Sequence, residues 1–228
     1  MRTPTLLLVV VLSSAPHASP RPEGRGLHTR GLHTRGLHTL GLHTWGTELP
    51  DGWKVRFDDA SAKPADVLVE EKDGSLTFTT GPAGIYYKGD KAQNGFDYTA
   101  TFSQLKPTAM AEAYGLFIAG QDLDKDTQRY TYFLIRQDGK YTIKTRNGSA
   151  TKAIVDWTDA PSMKEPKGVK TSNTLEIRAT ANSVQFVVDS KPVHSMTRDQ
   201  VGPDGAAGVR INHNLNVQVS KLEIKKLP

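Results

Sequence analysis

The chain has 228 residues, 37% of them hydrophobic and 7% aromatic, with no cysteine and a formal net charge of +5. That length allows one sizeable core or two small ones, and the lack of cysteine excludes disulfides, thiolate metal sites and a thiol nucleophile. The charge is unevenly held. Five of the 29 Lys and Arg but only one of the 24 Asp and Glu precede residue 47, which leaves +1 for residues 47–228. A near-neutral domain lacks the basic footprint that nucleic-acid binding requires.

Residues 1–18 combine Arg2, an apolar run from Leu6 to Leu12 and small residues at Ala15 and Ala18. The run is too short to span a bilayer of about 30 Å, so the segment predicts a cleaved secretory signal and a secreted or periplasmic chain without membrane insertion. Residues 19–46 follow as a linker. Within them GLHTRGLHTRGLHTLGLHTWG places His28, His33, His38 and His43 at intervals of five. Such spacing does not converge imidazoles on one metal ion. A helix rotates them away from one another, and a strand sends successive ones to opposite faces. Glycine in every unit and little apolar mass predict a flexible tether, with loose chelation of a metal ion as its other use.

From Trp53 onward the pattern has period two, interrupted by turn signals, which predicts an all-β sandwich or barrel over residues 47–228. GWKVRF alternates Trp53, Val55 and Phe57 with two cations, and DVLVEEKDGSLTFTT reads as two strands joined at Asp73-Gly74, a pair suited to a type I′ turn. In GIYYKGD alternation lets only one of Tyr86 and Tyr87 face outward. FDYTATF points Phe96, Tyr98, Ala100 and Phe102 inward, and TLEIRATANSVQFVVDSKPV does the same for Leu175, Ile177, Val184, Phe186 and Val188. TRDQV is the one stretch that suggests a helical turn. The chain ends in two strands broken near residues 212–214.

The hairpin RYTYFLIRQDGKYTIKTRNG lies between these. A two-residue Asp138-Gly139 loop would pair Gln137 with Lys140, and so Arg136 with Tyr141, Leu134 with Ile143 and Tyr132 with Thr145 on a core face. The second face would then carry Phe133 with Lys144, Ile135 with Thr142 and Thr131 with Arg146. Two readings of that face stand: a solvated sheet surface, or a ligand-facing one on which Phe133, Lys144 and Arg146 contact the ligand.

YGLFIAGQDL, the hairpin above, NTLEIRATANSVQFVVDSKPV and DGAAGVRINHNLNVQVSKLEI together resemble the concanavalin A-like lectin/glucanase jelly roll. The likeness is to its secreted bacterial branch, which includes laminin-G-like, family-16 glycoside-hydrolase-like and 3-keto-disaccharide hydrolase domains. It covers about residues 50–226. The resemblance implies a jelly-roll β-sandwich and a polysaccharide or cell-surface glycan as partner.

Catalytic signatures are sparse. The E-x-D-x-E string of family-16 glucanases is missing, so no strand carries a ready pair of carboxylates. Glu112, Asp122 and Glu176 are the isolated candidates for an acid and a base. Asp122, Asp124 and Asp126 in GQDLDKDTQRY resemble the start of a calcium loop, but Thr127 and Phe133 replace the glycine and glutamate of an EF-hand. They fit either a shallow Ca²⁺ site or a solvated acidic loop. Trp157, in IVDWTDAPSM, is either a stacking platform for a sugar ring or an anchor for its loop. Arg210, Asn212 and His213, in RINHNLN, either bind sugar hydroxyls or satisfy a chain reversal. The reading that combines these is a non-catalytic glycan-binding or surface-interaction sandwich without a required cofactor. A glycoside hydrolase or lyase acting on a polysaccharide or keto-sugar is the alternative.

Overall fold

A computed structural model of the chain describes residues 49–163 and 171–228. The signal segment and the histidine repeat lie outside the described residues. Fourteen strands follow one another: β1 (Lys54–Phe57), β2 (Val67–Lys72), β3 (Ser75–Thr80), β4 (Gly84–Ala92), β5 (Phe96–Gln104), β6 (Ala113–Gln121) and β7 (Arg129–Arg136). The second half adds β8 (Lys140–Asn147), β9 (Ala150–Asp159), β10 (Ser172–Ala179), β11 (Ser183–Val188), β12 (Lys191–Thr197), β13 (Gly205–Ile211) and β14 (Asn216–Lys226). A 3₁₀ turn spans Pro64–Asp66, and a helical turn, α1 (Arg198–Val201), stands where TRDQV suggests it.

The strands form two seven-stranded antiparallel sheets, ordered β1-β4-β13-β6-β7-β8-β9 and β12-β11-β10-β5-β14-β3-β2. This is the jelly-roll sandwich that the period-two pattern and the resemblance lead one to expect. Alternation decides which side chains fill it. Phe96, Tyr98, Ala100 and Phe102 of β5 are buried, as are Leu175, Ile177, Val184, Phe186 and Val188 of β10 and β11. Rings meet across the gap between the sheets: Phe133 lies 5.3 Å from Phe186, Tyr114 5.7 Å from Phe102 and Tyr86 4.9 Å from Phe78. Burial of each such side chain contributes about 1.5–3 kcal/mol.

Two turns illustrate how local chemistry sets register. Asp73 and Gly74 both adopt positive φ (51° and 70°), the type I′ geometry expected of that dipeptide. The Asp138-Gly139 hairpin differs from expectation. Arg136 pairs with Lys140, so the loop holds three residues, Gln137, Asp138 and Gly139. The Gly139 N–H donates to the Arg136 carbonyl at 3.1 Å and Gly139 sits at φ 81°, a turn closed by a left-handed residue. The register therefore moves by one, and every pair on β7 changes partner. Phe133 faces Ile143 and Ile135 faces Tyr141 on the core side. Tyr130, Tyr132, Leu134 and Arg136 face Arg146, Lys144, Thr142 and Lys140 on the other.

Candidate functional site

The outward side of the first sheet can be assembled row by row from its register. Arg56, Ile85, Arg210, Gly115, Leu134 and Thr142 form one row across it, and Tyr87, Gly208, Phe117, Tyr132 and Lys144 the next. An outward sheet face ordinarily carries solvated side chains. Here a second apolar cluster sits on it, made of Ile85, Ala113, Phe117, Leu123, Tyr130, Tyr132 and Leu134, with Tyr87 and Trp157 packed against it. Gly208 permits this. A Cβ there would lie 2.2 Å from the Tyr86 carbonyl oxygen, 2.6 Å from the Phe117 ring and 2.9 Å from the Tyr87 Cβ, so only glycine lets the two rings close over β13.

Three charged side chains are set into this cluster. Arg210 is 7% exposed, lies across the Tyr132 ring at 5.0 Å and donates from Nη1 to the Tyr130 hydroxyl at 3.1 Å. Both its terminal nitrogens donate to Asp58, Nη1 to Oδ1 at 3.1 Å and Nη2 to Oδ2. Arg146 donates to the same Asp58 Oδ1 at 3.0 Å and to the Gly148 carbonyl at 2.9 Å. One carboxylate thus holds two guanidinium groups. Burial works to raise the Asp58 carboxyl, but the Arg210 hydrogen bond and the charges of Arg210, Arg146 and His213 outweigh it, so its pKa falls below the ordinary value. Burial likewise opposes the charge on Arg210, and the Asp58 carboxylate more than compensates for it. Asp58 is absent from the residues singled out by sequence.

The other sequence candidates divide. Lys144 and Arg146 stand on this face as expected, and so does Arg210. Phe133 does not: it is fully buried among the rings between the sheets, because the three-residue loop turns it inward. Trp157, on β9, is partly buried, with the Arg136 guanidinium 4.3 Å above its ring and the Lys144 ammonium 5.9 Å away. It packs against the apolar cluster from a strand, where the sequence suggests a loop, and its ring faces two cations. The Asn212 backbone closes the corner after β13, its N–H donating to Ala113 O at 3.0 Å and its carbonyl accepting from Thr80 Oγ1 at 2.7 Å. His213 is exposed, with Nδ1 3.9 Å from Glu112 Oε2.

The candidate carboxylates Glu112, Asp122 and Glu176 are not gathered. Glu112 neighbours His213, and Asp122 pairs with Lys125 at 2.8 Å. Glu176 sits on β10 of the opposite sheet, 2.7 Å from Arg178. The calcium reading of Asp122, Asp124 and Asp126 fails for a similar reason. Asp126 turns to Arg56 at 3.2 Å, and the Asp124 carbonyl accepts from Arg56 at 3.4 Å. No group of three His, Asp or Glu among the described residues could hold a metal ion. Lys125 and Arg56 each take one carboxylate oxygen, of Asp122 and of Asp126.

Three cavities of about 490, 500 and 510 Å³ lie elsewhere, and none has Asp58, Arg146 or Arg210 in its lining.

Comparison with solved structures finds proteins of similar fold. Carbohydrate binding module CBM66 from Bacillus subtilis superposes with a TM-score of 0.57 at 11% identity, over 77% of this chain and 96% of that one. A Bacillus subtilis protein of unknown function with a galectin-like fold gives 0.56 at 12%, over 76% and 89%. A glycosidic hydrolase gives 0.53 at 11%, over 80% and 93%. At such identities the likeness is one of fold. No curated protein sequence matches the chain significantly. The family model of the 3-keto-alpha-glucoside-1,2-lyase-like domain matches residues 45–225, most of the chain and all but its margins in the sandwich, and the chain belongs to that family.

Proposed function

We propose that the chain is an exported, non-catalytic module that binds carbohydrate on the outward face of its first sheet. The observation that carries this reading is the fastening of Asp58 by two guanidinium groups on an aromatic face. A buried ion pair is weak as a source of stability, because desolvation offsets most of its attraction. It is effective as a fixed acceptor. Asp58 presents an ionised carboxylate whose position is set from beneath, able to accept from sugar hydroxyls, while Trp157 and the stem of Lys144, both only partly buried, offer apolar surface to ring C–H groups. Its lowered pKa is the wrong shift for the general acid of a glycosidase, which must stay protonated near neutrality. Support also comes from the fold shared with a carbohydrate binding module and, for export, from the apolar run at Leu6–Leu12.

Calorimetric titration with a panel of oligosaccharides tests the reading. Binding is expected for the native chain, weakened about tenfold in Arg146→Ala, the loss of roughly one charge-assisted hydrogen bond and its fixed acceptor. No heat with any member of the panel would sink it.

A second reading is elimination on a keto-sugar. Family membership and the His213–Glu112 pair favour it. In such a step a base takes the proton from the carbon between the ketone and the glycosidic carbon. The electron pair forms the new double bond, and the glycosidic oxygen leaves and is protonated. His213 is the base this geometry offers. Turnover of a 3-keto-α-glucoside that is lost in His213→Ala would establish it, and an unchanged substrate would remove it.

A further inference from the structure

We infer that the site prefers acidic sugars, those bearing a carboxylate or an ester sulfate, over neutral ones; the inference rests on the carbohydrate-binding reading above.

The local charge balance of the face favours an anion. Arg56, Arg136 and Lys140 at the margins of the face are each matched by a carboxylate: Asp126 at 3.2 Å, Asp138 at 2.8 Å and Asp159, at the end of β9, at 2.5 Å. The centre is not matched. Arg146 and Arg210 share the single carboxylate of Asp58, and Lys144 has no carboxylate partner among the described residues. Lys144 and Arg146 are two apart on β8, so both point outward from adjacent rows, opposite Tyr132 and Tyr130.

The excess is local. Residues 47–228 as a whole carry only +1, so the positive centre is a property of this face. Both cations are partly buried, which weakens screening by solvent and strengthens their hold on an anion. A carboxylate or sulfate on a pyranose ring would complete the count that Asp58 leaves short. A guanidinium and an ammonium side by side suit either oxyanion.

The test titrates the full chain with matched neutral, uronate-bearing and ester-sulfated oligosaccharides, with polyaspartate as a charged non-sugar control. Acidic sugars are expected to bind at least about tenfold more tightly than neutral ones. That ratio should collapse toward unity in Lys144→Gln, whose folding is verified by its melting temperature, and should fall with added salt. The uronate and sulfate arms identify which oxyanion is preferred, and either supports the inference. Equal or tighter binding of neutral sugars overturns it while leaving carbohydrate binding intact. Polyaspartate binding as tight as the acidic sugars also overturns it, as would a ratio unmoved by Lys144→Gln. Absence of binding to every sugar overturns both readings together.

Discussion

Asp58 and Asp59 are neighbours with different tasks. Asp59 accepts from the Ser61 N–H and hydroxyl, both at 2.8 Å, and closes its own turn. Asp58 reaches Arg146 and Arg210, 88 and 152 residues away in sequence. Asp58→Asn removes the charge that both guanidinium groups face and leaves Arg210 buried without a counter-ion. Breaking a buried pair costs about 3–5 kcal/mol, and because Asp58 keeps some contact with water the lower end, about 3 kcal/mol, is expected by denaturant titration at neutral pH. The effect depends on pH with a definite sign. The folded pKa of Asp58 lies below its ordinary 3.8, so its contribution is complete above that value and is lost as pH falls through the folded pKa. The gap between native chain and variant should therefore close in acid. A gap that persists undiminished there would show that the variant disturbs packing instead of charge.

At the scale of the element, the β7–β8 hairpin decides what the face becomes. β8 is unambiguous, with Tyr141 and Ile143 apolar and Thr142, Lys144 and Arg146 polar. β7 is apolar on both sides, so alternation alone does not choose between Phe133 and Tyr132 for the core. The loop chooses, and the Asp-Gly pair is compatible with two lengths. Gly139 holds the three-residue form at φ 81°, and a Cβ there would touch nothing within 4 Å. Gly139→Ala thus isolates backbone strain, with an expected cost of about 1–2 kcal/mol. For a domain of this size that is a fall of roughly 2–8 °C in Tm. Gly139→Asn, a residue that tolerates left-handed φ, should lose less. Equal losses in the two variants would refute a left-handed requirement at this turn.

The whole molecule is held by aromatic packing between two sheets, and its tyrosines report on it. All seven have pKa values raised above 10.0, burial being the largest cause in each; Tyr86, Tyr98 and Tyr114 stand between the sheets and are shifted furthest. A phenol whose folded pKa is raised favours the folded state fully below its unfolded value and loses that contribution as pH climbs above it. Phenolate absorbance is therefore expected to stay low past pH 10 and then to rise together with loss of the β-sheet circular dichroism signal. Ordinary titration of most tyrosines near pH 10 with the fold intact would contradict this account of the core.

Hydrophobic alternation made much of the architecture legible without coordinates. The inward faces of β5, β10 and β11, the type I′ turn at Asp73-Gly74 and the break after Ile211 all follow from side-chain period and turn chemistry, which act over a few residues. Single polar candidates could also be named locally. Lys144, Arg146 and Arg210 were, and all three reach the outward face. Their joint meaning was not legible, because Asp58 joins them from a strand end far away in sequence. Phe133 was misplaced because a one-residue difference in loop length exchanges the faces of a strand that is apolar on both. The three aspartates of the β6–β7 loop resemble metal ligands in one dimension, but in three Asp122 takes Lys125 as partner and Asp126 takes Arg56. The sequence by itself determined strands, turns and core because those depend on neighbours along the chain. Only the tertiary structure decided which charges meet, because Coulomb attraction and desolvation act through space, between residues that the sheet order brings together.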